Sequence, residues 1–144
     1  MFYNKTLGLF VLNKGIKHMK QKFGNDVKIL WQDKIRHFGL PISFTKYSLV
    51  QKEGLWTKLI VEKGWLSTSI DEVNVYRIYD VSVFVDLIAK MYKVGNVLLY
   101  CDDASHQKIT LKNIKNPYQI HRLITDIVEE EKKNRKYFIT ESQN

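Results

Sequence analysis

The sequence predicts an α+β domain that is mainly β, and three observations predict it. Between Ile35 and about Thr110, short apolar or alternating segments are separated by turn residues, which is the period of strands. After Pro117 the apolar residues switch to three- and four-residue steps, the period of a helix. The same helical step runs through Leu9, Leu12, Ile16, Met19 and Phe23, ahead of a Gly24-Asn25-Asp26 stop.

Taken in order, the first element is an amphipathic helix within residues 1–27. Lys14, Lys17, Lys20 and Lys22 fall mostly off its apolar face, and Gly15 weakens it by roughly 1 kcal/mol relative to Ala. A β-rich domain over 28–137 follows. Phe44 to Val50 reads as one strand; Trp56 to Glu62 and Trp65 to Ile70 read as a hairpin turning at Lys63-Gly64. Val73 to Val85 reads as the longest strand. Val73, Val75, Tyr79, Val81, Val83 and Val85 share one face, and Arg77 interrupts it as a bulge or an edge residue. Val97 to Cys101 and Lys108 to Leu111 pair across the turn cluster Asp102-Asp103-Ala104-Ser105. The last helix is capped by Asn116, with Pro117 at its first position and a stripe of Ile120, Leu123, Ile124, Ile127 and Val128. Its basic end, Lys132 to Lys136, complements the helix dipole, and residues 138–144 read as a disordered tail. Five to seven strands in a curled sheet leave an apolar mouth, and the final stripe is expected to plug it.

Composition bounds the function. A chain of 144 residues suits one domain, and 44% apolar with 26% charged residues is a globular balance. A formal charge of +8 favours acidic partners, whether nucleic acid, an anionic membrane face or an acidic protein. The basic residues are scattered, which makes nucleic acid the weakest of the three. Cys101, the single cysteine, forms no internal disulfide and sits in an apolar run, so a buried thiol and a cytoplasmic setting are expected. No stretch approaches the ~20 apolar residues of a membrane span.

Catalytic chemistry finds little support. His18, His37, His106 and His121 are widely spaced, and none pairs with a Cys or carboxylate at metal-ligand spacing. No nucleophile elbow, phosphate loop or dinucleotide fingerprint occurs. Asp102-Asp103 reads as turn chemistry, and Arg77 and Asp80 as members of ion pairs with other partners. No enzyme activity, cofactor or metal is expected. The candidate binding residues are Lys14, Lys17 and Lys20 on the first helix, with Lys46, Lys52, Lys58, Lys63, Trp56 and Trp65 around the first turns. Trp beside Lys suits a headgroup layer or base stacking, although a Trp can equally fill the core.

Three segments carry a family resemblance. Phe38 to Leu49, the hairpin Glu62-Lys63-Gly64-Trp65-Leu66, and Asp71-Glu72-Val73-Asn74-Val75-Tyr76-Arg77-Ile78-Tyr79-Asp80-Val81 resemble bacterial pleckstrin-homology-like domains, the lone type of Firmicutes and their phages. Leu111 to Pro117 resembles that family's entry into the last helix. Asp86 to Val97 departs from it, lacking the family's aromatic and first Gly in that place. The resemblance implies a barrel-like sandwich of about seven strands capped by the carboxy-terminal helix, without catalysis, and with self-association in relatives. It implies a module that binds a protein partner or itself, of phage or mobile-element origin. Apolar anchors such as Leu55 and Trp56 would carry the affinity, with lysines steering the encounter. The alternatives are an anionic-lipid binder using the first helix and basic loops, and a nucleic-acid binder.

Overall fold

A computed structural model describes residues 16–142. Of the first helix, residues 16–23 are described as helical (α1); Leu9, Leu12, Lys14 and Gly15 lie outside the described residues. The remaining elements are β1 (Val27–Lys34), β2 (Lys46–Lys52), β3 (Trp56–Lys63), β4 (Ser69–Asn74), a 3-10 turn (Val75–Arg77), β5 (Ile78–Phe84), α2 (Leu87–Met91), β6 (Val94–Cys101), β7 (Lys108–Lys115) and α3 (Pro117–Glu141). The fold is α+β and mainly β. Two antiparallel sheets, ordered β1-β2-β3-β4 and β5-β6-β7, pack face to face with α3 along one side.

Sheet pleating divides the side chains between two cores. Tyr47, Leu49, Leu59, Val61 and Val73 point inward and meet Val97, Leu99, Leu111 and Ile114 of the second sheet. From α3, Ile120, Ile124, Ile127 and Val128 complete this core, so the apolar stripe after Pro117 does seal the sandwich. The opposite face of the first sheet carries Val27, Val50 and Ile60, which would be open to water without a cover. α1 is that cover. Met19 is fully buried there, and Phe23 packs edge-on against Trp56 with ring centroids 5.5 Å apart. A Met side chain buried this way contributes about 1.5–3 kcal/mol.

The long strand expected over Val73 to Val85 is two strands in different sheets. The 3-10 turn at Val75–Arg77 carries the chain from the first sheet to the second, and the β5–β6 ladder shifts again between Ile78 and Asp80. The inward face therefore changes register: Ile78 is buried and Tyr79 is exposed. Arg77 interrupts the pattern because it belongs to this corner. Its guanidinium reaches Asp103 at 3.0 Å, and its carbonyl accepts the Asp102 N–H at 2.9 Å. Asp103 also accepts the Ser105 N–H at 2.9 Å; that backbone bond, then Arg77, holds its carboxyl below the usual range. Asp102-Asp103 is thus turn chemistry.

Four further expectations are corrected. Trp65 is not in a strand: β4 starts at Ser69, because Lys63 pairs with Ser69 and residues 64–68 form the loop. Gly64, at φ 118°, starts that loop, and a Cβ there would lie 1.8 Å from the Ser67 carbonyl. Asn116 makes no side-chain cap; it takes a left-handed φ of 51° and its carbonyl accepts the Gln119 N–H. α3 continues past Tyr137 to Glu141, so Lys132 to Lys136 lie mid-helix, not in the last turn. There Lys132 donates to the Ile78 carbonyl at 2.9 Å and Arg135 stacks over Tyr76 at 3.5 Å, clamping the inter-sheet corner.

The two sheets also meet where β1 and β2 approach β7, through one backbone bond from the Arg36 N–H to the Asn113 carbonyl and through side chains, and not through a continuous ladder. The buried Tyr47 hydroxyl donates to the Thr110 carbonyl at 3.3 Å and accepts the Lys112 N–H at 3.2 Å. The result is a two-sheet sandwich and not a closed barrel.

Candidate functional site: an apolar loop end

Three loops come together at one end of the sandwich: residues 35–45 after β1, residues 64–68 after β3, and residues 85–93 around α2. Their side chains are strongly apolar and strongly exposed. Leu66 is 90% exposed, Leu87 82%, Phe38 79%, Met91 74% and Trp65 73%. Leu40, Ile42, Phe44 and Ile88 are exposed with them. A lone exposed leucine is ordinary, but a cluster on adjoining loops marks a contact surface.

The cluster is held in shape. Trp65 stacks on Phe44 with centroids 5.6 Å apart and planes 15° apart, which joins the second loop to the first. Phe38 meets Tyr92 edge-on at 5.7 Å, which joins the first loop to the third. Asp33 anchors the base. Its nearly buried carboxylate accepts from Arg36 Nη2 at 3.0 Å and Nε at 3.3 Å, and from the Lys115 N–H at 2.9 Å. Arg36 Nη1 then donates to the Gly39 carbonyl at 3.1 Å, fixing the turn between Phe38 and Leu40. Asp86 caps α2 by accepting the Ala89 N–H at 2.7 Å, which turns Leu87, Ile88 and Met91 outward.

Charge surrounds this end. Among the described residues, no carboxylate lies within 4.0 Å of the Lys34, Lys90 or Lys93 ammonium. The lysines singled out from the sequence behave differently. Lys46 pairs with Glu62 at 3.7 Å, Lys52 with Asp26 at 3.4 Å, Lys58 with Glu72 at 3.2 Å and Lys63 with Asp71 at 3.0 Å. The Lys63 hydrogen bond lowers the Asp71 pKa against a small burial cost. Lys17 and Lys20 point to solvent from α1, and Lys14 lies outside the described residues.

The two tryptophans separate as well. Trp65 belongs to the exposed cluster. Trp56 is half-buried under Phe23 with the Lys58 ammonium 4.8 Å from its ring, so it packs inside the protein. Leu55, exposed at the β2–β3 turn, lies at the opposite end of the strands from Trp65. Sequence reading missed Asp33, the apolar residues of 38–44 as surface, and Leu87, Ile88 and Met91. Asp33-x-x-Arg36 was a visible ion-pair spacing; nothing in the sequence separated an outward Ile42 from a buried one.

The histidines are scattered: His18 is 3.2 Å from Glu62, His106 is 3.8 Å from Asp71, and His121 is 3.1 Å from the Val81 carbonyl. Among the described residues no three His, Cys, Asp or Glu side chains gather as a metal site, and no helix is long and apolar enough to cross a membrane. Cys101 is buried, and burial followed by the Asp103 charge pushes its thiol up to about 11. No family model, curated protein or solved structure matches the chain.

Proposed function

We propose that this chain is a non-catalytic, pleckstrin-homology-like interaction module that seats its apolar loop end on an anionic membrane surface. The carrying observation is the group of side chains standing out from three adjoining loops, Trp65 and Leu66 foremost, with Lys34, Lys90 and Lys93 at the same end, whose ammonium groups have no carboxylate within 4.0 Å among the described residues. Support for the family comes from the sequence resemblance, with which two antiparallel sheets and a terminal helix are compatible. Side chains this exposed suit insertion into a fluid headgroup layer. The apolar face of α1 packs on its own sheet, so the loops take the role that the lipid-binding alternative gave to that helix.

Two inserted tips contribute about 3–6 kcal/mol, and three lysines near an anionic surface about 3 kcal/mol. The sum, about 6–9 kcal/mol, corresponds to sub-micromolar to tens-of-micromolar affinity. The test is flotation with vesicles containing phosphatidylglycerol against vesicles of phosphatidylcholine alone. Binding is expected only to the anionic vesicles, with a blue shift of Trp65 emission. Leu66→Ser with Met91→Ser is expected to abolish it at unchanged melting temperature. Equal binding by that double variant, or none by the wild type, would overturn the proposal.

A further inference from the structure

We propose that the open edge of β1 is a second, separate docking groove, which takes an extended acidic peptide segment of a protein partner. Among the described residues, β1 is the terminal strand of the first sheet and pairs only with β2. Its far end closes on β7, where the Arg36 N–H donates to the Asn113 carbonyl at 3.0 Å and Asp33 takes the Lys115 N–H. From Val27 to Gln32 the edge lies between two cavities. One, about 370 Å³, lies between β1 and the start of α3, reaching Ile120 and Leu123. The other, also about 370 Å³, lies between β1 and α1, reaching Ile16 and Lys20. Leu30, Trp31 and Gln32 line both.

Successive side chains of an extended segment point to opposite faces, so a peptide laid along β1 sends alternate residues into the two cavities. Each cavity offers apolar floor from Leu30 and Trp31, which suits alternating aliphatic side chains. The ladder with β2 shifts between Ile29 and Trp31, so Leu30 and Trp31 both pack toward the inner core. That bulge keeps any added main-chain ladder short and leaves the cavities and charge to set specificity.

Charge identifies the occupant. The linings carry Arg36 and Lys115 on one side, and Lys20 and Lys28 on the other. Their one carboxylate, Asp33, is already taken by Arg36 and the Lys115 N–H. Among the described residues, no carboxylate lies within 4.0 Å of the Lys20, Lys28 or Lys115 ammonium. A second copy pairing β1 to β1 about a two-fold axis would bring basic edges together, which is repulsive. An acidic segment is complementary.

The experiment pans a displayed library of random dodecapeptides against the full chain. Enriched sequences are expected to alternate aliphatic residues with Asp or Glu. A synthetic representative is expected to shift the amides of residues 27–32 and 119–123 and to bind at least tenfold more weakly to Lys28→Glu with Lys115→Glu. Both lysines are exposed, so that variant keeps the fold. Failure to enrich, enrichment of basic or non-alternating peptides, undiminished binding by the double variant, or shifts centred on the Trp65 loop would overturn the proposal. So would full competition by oligothymidylate, which would reassign the groove to nucleic acid. Vesicle flotation is independent of these readouts, so either site can fail without the other.

Discussion

Replacing Met19 by Ala tests whether α1 is part of the folding unit. Met19 is fully buried between α1 and the outer face of the first sheet, against Val27, Val50 and Ile60. Truncating a buried Met to Ala removes its transfer free energy and leaves a cavity, together about 2–5 kcal/mol. For a domain of this size each kcal/mol moves the melting temperature by about 3–5 °C, so a fall of roughly 6–25 °C is expected. Loosening α1 also uncovers Trp56, which is expected to shift native tryptophan emission to the red. The control is Lys17→Ala on the exposed face of the same helix, expected within about 0.5 kcal/mol of wild type. Urea denaturation followed by circular dichroism and by fluorescence reads both variants. If Met19→Ala matches Lys17→Ala, α1 does not stabilise the sheet and the second core is not a cooperative part of the fold.

Other outcomes follow from single contacts. Tyr47→Phe leaves the Thr110 carbonyl and Lys112 N–H without the hydroxyl and is expected to cost about 1–3 kcal/mol by urea titration; a neutral result would mean that the corner is held without it. Asp33→Ala removes the anchor of Arg36 and Lys115, so amide exchange in 36–44 should accelerate and anionic-vesicle binding should weaken; unchanged protection would detach the anchor from the loop. Asp26, Asp71, Glu72 and Asp103 all titrate below their ordinary values when folded. Below pH ~5 the unfolded chain therefore binds more protons than the folded one, so stability is full above that range and falls as pH drops through the folded values. Asp71→Asn should flatten that fall between pH 5 and 3, and an unaltered profile would remove the Lys63 pair from the account. Cys101, buried and with its thiol near 11, should react with a disulfide reagent at pH 8 at the rate of structural opening; burst labelling would contradict its burial.

What the sequence determined by itself is the part ruled by local period and composition. The stripe Ile120, Ile124, Ile127 and Val128 was legible as a core face because helical spacing leaves one way to bury it. The strands around Trp56 to Glu62 and Val97 to Cys101 were legible as short apolar or alternating segments bounded by turn residues. β1 was not singled out, although Val27-Lys28-Ile29 alternates, because it adjoined a helix stop and ended in polar residues. Gly24 and Asn25 marked the end of α1, but nothing local said which surface would cover Met19.

Only the tertiary structure decided the rest. Whether Val73 to Val85 is one strand or two depends on where the second sheet must lie to cover the first, a long-range packing condition absent from the alternation itself. The same holds for the two tryptophans. Both stand among lysines in the sequence, yet Trp56 lies in β3 under Phe23, whereas the loop that starts at Gly64 carries Trp65 off the end of β3 to stack on Phe44. Apolar residues are buried by whatever returns to cover them, and that partner is chosen by the whole chain.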